Sequence, residues 1–259
     1  LMAVIERYDL TRYDKEEMKM SNSSLVSYTK ISPNKNSPRN HAIDRITPHC
    51  VVGQLSAESI CGCFTNPSRQ ASCNYGIGYD GRISLCVEEK DRSWCSSSSA
   101  NDHRAVTIEC ASDKTHPYAM TNAVYASLIN LCVDICKRNG KKKLLWFGDK
   151  NKTLAYSPKS DEMVLTVHRW FANKSCPGDW LYNRLGNLAD EVTAQLGGKT
   201  SNKENEEMIK YGAHNTATLA FKKQLITLYN MKIIKTKVDN SNGFGDGTLK
   251  AVKEAQRAG

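Results

Sequence analysis

The stretch NYGIGYDGRISLCVEE, residues 74–89, carries the strongest short-range folding signal in this chain. It divides at Asp80-Gly81, and an Asp-Gly pair between two β-rich arms is typical of a β-hairpin. Further along the chain, the apolar run AVTIECAS at 105–112 predicts a buried strand. Before the hairpin, ITPHCVV at 46–52 predicts another short strand. We therefore expect the hairpin to be part of a larger sheet.

Helical patterns alternate with these strands. SAESICGCF at 56–64 predicts a helix that begins at Ser56, and residues 120–140 place apolar side chains at helical spacing. KLLWFGD at 143–149 predicts a strand, and residues 179–198 predict one more amphipathic helix. This alternation predicts an α/β fold, a mixed central β-sheet flanked by α-helices.

Composition shifts divide the chain into four predicted segments. A charged leader, extended or helical, precedes the α/β domain, and a polar linker follows it. The last segment is a small helical C-terminal region that contains a helical pattern at 217–231. The predicted bounds are 1–23, 24–198, 199–208 and 209–259.

Length and hydropathy favour a soluble protein. The chain has 259 residues, 40% of them hydrophobic, which is enough for one substantial core. No run approaches the roughly 18 apolar residues that a transmembrane helix needs. Charges interrupt the opening LMAVIERYDL too early for a signal peptide. We expect synthesis in the cytosol and no transmembrane segment.

A formal net charge of +9 suggests a polyanionic partner. Nucleic acid, an anionic membrane surface and an acidic cell-wall polymer all fit, as does a merely solvated basic surface. The lysines are scattered apart from KRNGKKK at 137–143, and no helix-turn-helix or basic motif interleaved with aromatic residues accompanies them. We therefore expect no nucleic-acid partner.

Ten cysteines in a chain of this length do not indicate a small disulfide-rich protein. We expect most of them to be reduced. Four have apolar neighbours and are predicted to be free thiols in the core: Cys86, Cys110, Cys132 and Cys136.

The loop HRWFANKSCPGDW, residues 168–180, brings His168, Lys174 and Cys176 close together in sequence. With His49 at a predicted strand end, His168 and Cys176 make a plausible set of three zinc ligands. Catalytic zinc sites use three protein ligands and keep a fourth position for water. No local HExxH motif is present. For each residue taken alone, a structural histidine or a small buried thiol is the favoured interpretation.

Four segments in this order resemble the type 2 N-acetylmuramoyl-L-alanine amidases, a zinc-dependent family that includes phage endolysins, bacterial autolysins and peptidoglycan recognition proteins. The resemblance runs from about Ile46 to Gly198. Its segments are TPHCVVG (47–53), SCNYGIGYDGRISLCVEEKDRSWC (72–95), NDHRAVTIE (101–109) and VHRWFANKSCPGDWL (167–181).

The resemblance implies roles for five residues. His49, His168 and Cys176 would bind Zn²⁺, with the cysteine in the position where other members use aspartate. Glu109 would act as the general base, with a surface ion pair as the alternative. Lys174 would face the substrate carbonyl and stabilise the oxyanion.

The sequence departs from the family pattern in the segments that would contact substrate. Some phage members have a catalytic tyrosine one residue before the position of Asn74, where this chain has Cys73, and Tyr75 is offset by two. The family often has a histidine after the tryptophan where this chain has Trp94 and Cys95. These segments would contact substrate in the family. We therefore keep their residues as candidate substrate-binding residues: Asn74, Tyr75, Trp94 and Cys95.

The C-terminal segment resembles the first part of a peptidoglycan-binding helical domain. The matching residues are Phe244, Gly245, Thr248, Ala251, Val252 and Gln256. Ala255 departs from this pattern, which usually has an aromatic residue there. We expect a partial module.

The resemblance predicts a monomeric hydrolase that cleaves the amide between N-acetylmuramic acid and L-alanine in Gram-positive peptidoglycan. The absence of an export signal favours an endolysin held in the cytoplasm until its release to the wall, with a secreted autolysin as the alternative. Two other functions fit the same residues: a peptidoglycan-binding module without hydrolysis, and a zinc endopeptidase that acts on the stem peptide.

Overall fold

The computed structural model describes residues 22–197, 209, 216–241 and 243–258. The chain divides into two compact units, Leu1–Thr200 and Ser201–Gly259. Almost all of the predicted leader 1–23 and all of the predicted linker 199–208 lie outside the described residues. In the described ranges, no helix is both long enough and apolar enough to cross a membrane.

Nine strands lie in the described part of the first unit, residues 22–197. They are β1 Val26–Thr29, β2 Lys35–Asn36, β3 Arg45–Cys50, β4 Tyr75–Ile77, β5 Ile83–Leu85, β6 Arg92–Ser93, β7 Ala105–Cys110, β8 Lys143–Leu145 and β9 Glu162–Leu165. Seven form one sheet in the order β1-β5-β4-β7-β3-β9-β8, and β2 pairs with β6 in a separate antiparallel ribbon. In the large sheet β4 and β5 pair antiparallel and the other neighbours pair parallel. The predicted mixed sheet is confirmed.

The predicted hairpin forms from β4 and β5, with Ile77 opposite Ile83. Gly81 has φ of +85°, a backbone conformation that side chains with a Cβ rarely adopt. A Cβ there would also lie 2.8 Å from the Ser127 Oγ and 3.0 Å from the Ala123 carbonyl oxygen. The turn therefore needs glycine both for its backbone and for its close packing against a helix.

Six α-helices accompany these strands between residues 22 and 197. They are α1 Ala57–Gly62, α2 Ser99–Asp102, α3 Asn122–Arg138, α4 Lys150–Ala155, α5 Asp179–Tyr182 and α6 Leu185–Gln195. The long α3 lies within the predicted segment 120–140, and the Thr121 hydroxyl caps it by accepting a hydrogen bond from the Val124 amide. Its apolar face joins the sheet and α6 in the main hydrophobic core, while α1 packs against β1, β4 and β5.

Residues 179–198 were predicted as one helix, and the structure divides them into α5 and α6. Side chains donate hydrogen bonds to two carbonyl groups near the break. The Arg184 guanidinium donates to the Trp180 carbonyl over 2.9 Å, and the Tyr125 hydroxyl donates to the Arg184 carbonyl over 3.5 Å. The first contact is local and the second joins the break to α3, and the Arg184 carbonyl also accepts the Leu188 amide over 2.8 Å at the start of α6.

Cys61 and Cys86 form a disulfide, with their Cα atoms 5.3 Å apart. The prediction that Cys86 is a free thiol was therefore wrong. The approach depends on the packing of α1 against β5, which the neighbours of Cys86 in sequence do not reveal. The other eight cysteines are free, and Cys110, Cys132 and Cys136 are buried as predicted.

The second unit contains α7 Thr216–Asn230 and α8 Asp246–Ala258. Four buried side chains form a small core: Leu225, Ile234, Val238 and Ala251. Lys222 is buried, and its ammonium group donates to the Asp239 carboxylate, the Ser241 hydroxyl and the Gly243 carbonyl over 2.8–3.1 Å. The predicted helix at 217–231 is confirmed. The likeness to a wall-binding module stays a prediction.

Candidate metal centre and cleft

Three parallel strands of the large sheet bring the candidate residues to one edge. β3 lies between β7 and β9, and the carboxyl ends of parallel strands meet at the same edge of a sheet. His49 lies near the end of β3 and pairs in register with Glu109 of β7. His168 follows β9 in a short 3₁₀ turn, His168–Trp170. The strand order thus brings together residues that are up to 119 positions apart.

The loop after β9 returns to this edge and presents Cys176. The Arg169 amide donates to the Cys176 carbonyl over 3.1 Å, which closes the loop on itself. The Cys176 Sγ then lies 3.2 Å from the His49 Nδ1. The rings of His49 and His168 have their centroids 5.1 Å apart.

His49, His168 and Cys176 fit a metal ion. One ligand atom from each lies within 4.8 Å of the others, and two imidazoles with one thiolate are typical zinc ligands. Burial and the neighbouring His168 lower the pKa of His49, while burial and Lys174 lower that of His168. Both rings are therefore held in the neutral form that ligates metals. Burial raises the pKa of the Cys176 thiol, which a bound cation would oppose.

Glu109 lies beside this set. Its Oε1 is 4.0 Å from the His49 Nδ1 and 3.8 Å from the Cys95 Sγ. Its Oε2 is buried and has no hydrogen-bond partner among the described residues. Burial raises the pKa of Glu109 to about 7, opposed by the Cys95 hydrogen bond and the charge of Arg69. A carboxyl group with these surroundings can take up and release a proton near neutral pH.

An open cleft of about 730 Å³ lies over these residues. Lys174 is exposed on its wall, and the same side chain also lines a smaller cavity beside His116 and Asp179. The cleft walls further include Arg69, Arg92 and a series of serine hydroxyls. The cleft thus carries three cationic side chains.

Two of the four candidate substrate-binding residues line the cleft, Trp94 and Cys95. The Trp94 indole N–H donates to the Asn36 Oδ1 over 2.7 Å. Cys95 is half-buried and directed toward Glu109.

Asn74 and Tyr75 lie in the core instead, and neither lines the cleft. The Asn74 Oδ1 accepts from the Thr107 amide over 3.0 Å. The Tyr75 hydroxyl donates to the Glu89 carboxylate over 2.6 Å. Substrate contact by this pair stays a prediction; in this structure both side chains are buried and serve the protein's own packing and hydrogen bonding.

Sequence reasoning missed Ser97 and Asp102. The Ser97 Oγ lies 2.9 Å from the His168 Nε2, and Ser97 has φ of +61°. The buried Asp102 carboxylate accepts from the amides of Cys95 and Ser96 over 3.0–3.2 Å and so anchors this loop. The run of serines at 96–99 was the available signal, but nothing local shows which serine reaches a histidine.

Comparison with known proteins places this site in a family context. The family model described as N-acetylmuramoyl-L-alanine amidase matches residues 39–179, more than half of the chain. That range contains all five residues of the proposed centre. No curated protein matches the chain.

Several solved structures are similar to part of the chain. They include a mutant endolysin from Bacillus subtilis (14% identity, 64% of this chain and 99% of that one, TM-score 0.45). The Ph2119 endolysin from the Thermus scotoductus MAT2119 bacteriophage shares 15% identity over 63% of this chain and 90% of its own, with a TM-score of 0.42. The N-acetylmuramoyl-L-alanine amidase LysCS from Clostridium intestinale URNW shares 18% identity over 68% and 100%, with a TM-score of 0.41.

Proposed function

Because this chain belongs to the N-acetylmuramoyl-L-alanine amidase family and is thus a peptidoglycan amidase, we propose that it is zinc-dependent and acts as an endolysin. One observation carries the metal requirement. The donor atoms of His49, His168 and Cys176 lie within 4.8 Å of one another at the floor of the cleft. Zinc bound by three such ligands polarises a carbonyl and activates water at neutral pH.

We assign proton transfer to Glu109. Its carboxylate takes a proton from the attacking water and delivers it to the nitrogen of the leaving L-alanine. The position supports this role, since Glu109 lies on the strand next to His49 and its Oε2 has no partner among the described side chains. General acid–base catalysis of this kind contributes about 10²–10⁴-fold in rate.

We assign oxyanion stabilisation to Lys174. Its side chain is exposed on the cleft wall, two residues before Cys176, and its positive charge is close enough to lower the pKa of His168. An ammonium group there can approach the carbonyl oxygen of the scissile amide. Loss of one such donor typically lowers kcat by about 10²–10³-fold.

The endolysin role and the division of labour between the units belong to the same proposal. Residues 24–198 form the catalytic domain, 199–208 the linker and 209–259 a partial wall-binding module. The net charge of +9 suits the anionic polymers of a Gram-positive wall. We propose a monomer that stays in the cytoplasm until it is released to the wall.

The bond cleaved identifies the activity. Purified Gram-positive walls are incubated with the full chain, and new L-alanine amino termini and new reducing sugar ends are both quantified. We expect new L-alanine termini without reducing ends. Glu109→Gln should lower their release at least about 100-fold, whereas Glu58→Gln, an acid on α1 outside the cleft, should not.

Two outcomes would overturn the proposal. Walls that bind the protein but release no new termini would favour a recognition module without hydrolysis. New termini from other stem-peptide residues would favour an endopeptidase.

A further inference from the structure

A second set of metal-ligating atoms lies in the same cleft beside the proposed centre. One ligand atom each from His49, Cys95 and Glu109 lies within 4.8 Å of the others. Ligand atoms around one tetrahedral zinc ion are separated by roughly 3–4 Å, given bonds of about 2.0–2.3 Å. The distances from the Glu109 Oε1 to the Cys95 Sγ, 3.8 Å, and to the His49 Nδ1, 4.0 Å, are close to this range.

The two sets cannot both use the same atom of His49. The His49 Nδ1 lies 3.2 Å from the Cys176 Sγ, so it already belongs to the first set. One imidazole nitrogen binds one metal ion. When the first set binds its metal ion, Cys95 and Glu109 are left as a free thiol and carboxylate pair beside it.

The pair is held in place before any ion arrives. The Cys95 amide donates to the Asp102 carboxylate over 3.0 Å, and Asp102 is itself buried. The Glu109 Oε2 is a buried acceptor that no described residue satisfies. A bound cation would stabilise a buried carboxylate oxygen that has no hydrogen-bond partner. Both residues line the open cleft, which gives an ion access.

We propose that Cys95 and Glu109 form a second, inhibitory binding position for a thiophilic divalent cation such as Zn²⁺ or Cd²⁺. Binding forms a metal–sulfur bond as the Cys95 thiol releases its proton to solvent, and no oxidation or reduction takes place. The ion occupies the carboxylate to which we assign proton transfer, so turnover stops. The binding position stands on the geometry alone, whereas its inhibitory effect rests on the proposed function.

Cadmium titration of the metal-free full chain, with the Cys61–Cys86 disulfide intact and the other cysteines as free thiols, tests the position without relying on activity. Each cadmium–thiolate bond adds ultraviolet absorption, so we expect two successive increases. Cys95→Ser and Glu109→Gln should each remove the second increase and keep the first. Cys176→Ser should weaken the first. Cys63→Ser, an exposed thiol on the same cleft, is the matched control and should change neither.

Zinc dependence of activity gives the second measurement. We expect activity to rise to one equivalent of zinc and to fall with excess. In Cys95→Ser the zinc concentration for half-inhibition should rise at least about tenfold, measured against that variant's own maximum.

The outcomes separate the two proposals. A single absorption increase that Cys95→Ser leaves unchanged would overturn the second position and leave the first centre intact. A second increase lost in Cys63→Ser would assign it to another thiol and also overturn the proposal. An unchanged first increase in Cys176→Ser would contradict the proposed centre, and a second increase that still depends on Cys95 would then support the inhibitory position by itself.

Discussion

Ser97 shows how a single residue can prepare a metal ligand. Its hydroxyl lies 2.9 Å from the His168 Nε2, which leaves the Nδ1 of that ring for a metal. Partners of this kind fix the tautomer and the orientation of a ligating histidine. Ser97 also holds a left-handed backbone conformation, φ +61°, in a loop that Asp102 anchors. A strained residue at a candidate site is consistent with a positioning role.

Ser97→Ala should weaken zinc binding about 10- to 100-fold, because the His168 ring loses the hydrogen bond that orients it. The affinity is measured by competition with a chelator of known strength. Ser99→Ala is the matched control, a serine of the same cleft at the start of α2. Equal affinities for both variants would contradict the positioning role.

The sequence predicted the role of a residue only where that residue belongs to a recognisable family motif. His49, His168 and Cys176 were suggested by their residue types and then by the resemblance, and the structure brings their ligand atoms together. Ser97 depends on a loop closing over a site that is distant in sequence. Asn74 and Tyr75 were chosen by their place in the family pattern, which does not reveal that both side chains are buried in this chain.

The turn of the β4–β5 hairpin requires glycine at position 81. Gly81 combines a positive φ with close contacts to α3, and Gly140, after the end of α3, has φ of +65° with open space around it. The two glycines thus differ in packing but share the backbone conformation. Comparing substitutions of Gly81 and Gly140 therefore separates the cost of the backbone conformation from the cost of steric overlap.

Gly81→Ala should lower the free energy of unfolding by about 2–4 kcal/mol, the sum of about 1 kcal/mol for the left-handed conformation and about 1–3 kcal/mol for overpacking. Gly140→Ala should lose only about 1 kcal/mol. Urea unfolding measures both. Equal losses would show that the hairpin turn and α3 do not pack as described.

Elements were predictable where local patterns decide them. The hairpin, the buried strand β7 and the N-cap of α3 all follow from turn, periodicity and capping chemistry within a few residues. The Cys61–Cys86 disulfide does not, because it depends on a partner from a distant segment, and the local pattern does not show the division between α5 and α6 either. Strand order follows the same rule, since pairing in a parallel sheet joins segments separated by whole helices.

At the scale of the whole molecule, the net positive charge affects binding to other molecules rather than folding. The net charge of +9 is spread over many scattered lysines, so its attraction to a polyanion should act over the range of the ionic atmosphere. That range falls from about 10 Å at 0.1 M salt to about 3 Å at 1 M.

Binding of the full chain to purified walls should therefore weaken about tenfold or more between roughly 0.05 and 0.5 M sodium chloride. Co-sedimentation measures the bound fraction, and sucrose of equal osmolality is the control. Binding that salt leaves unchanged would exclude anionic wall polymers as the target of the basic surface.

The central claim is that His49, His168 and Cys176 hold one zinc ion on which amide cleavage depends. The most direct measurement adds zinc to the metal-free protein and follows bound zinc and released L-alanine termini in the same samples. We predict that both rise together up to one zinc ion per chain. We also predict that Cys176→Ser neither binds zinc under these conditions nor releases L-alanine termini. Full cleavage by the metal-free protein, or normal zinc content and activity in Cys176→Ser, would contradict the account.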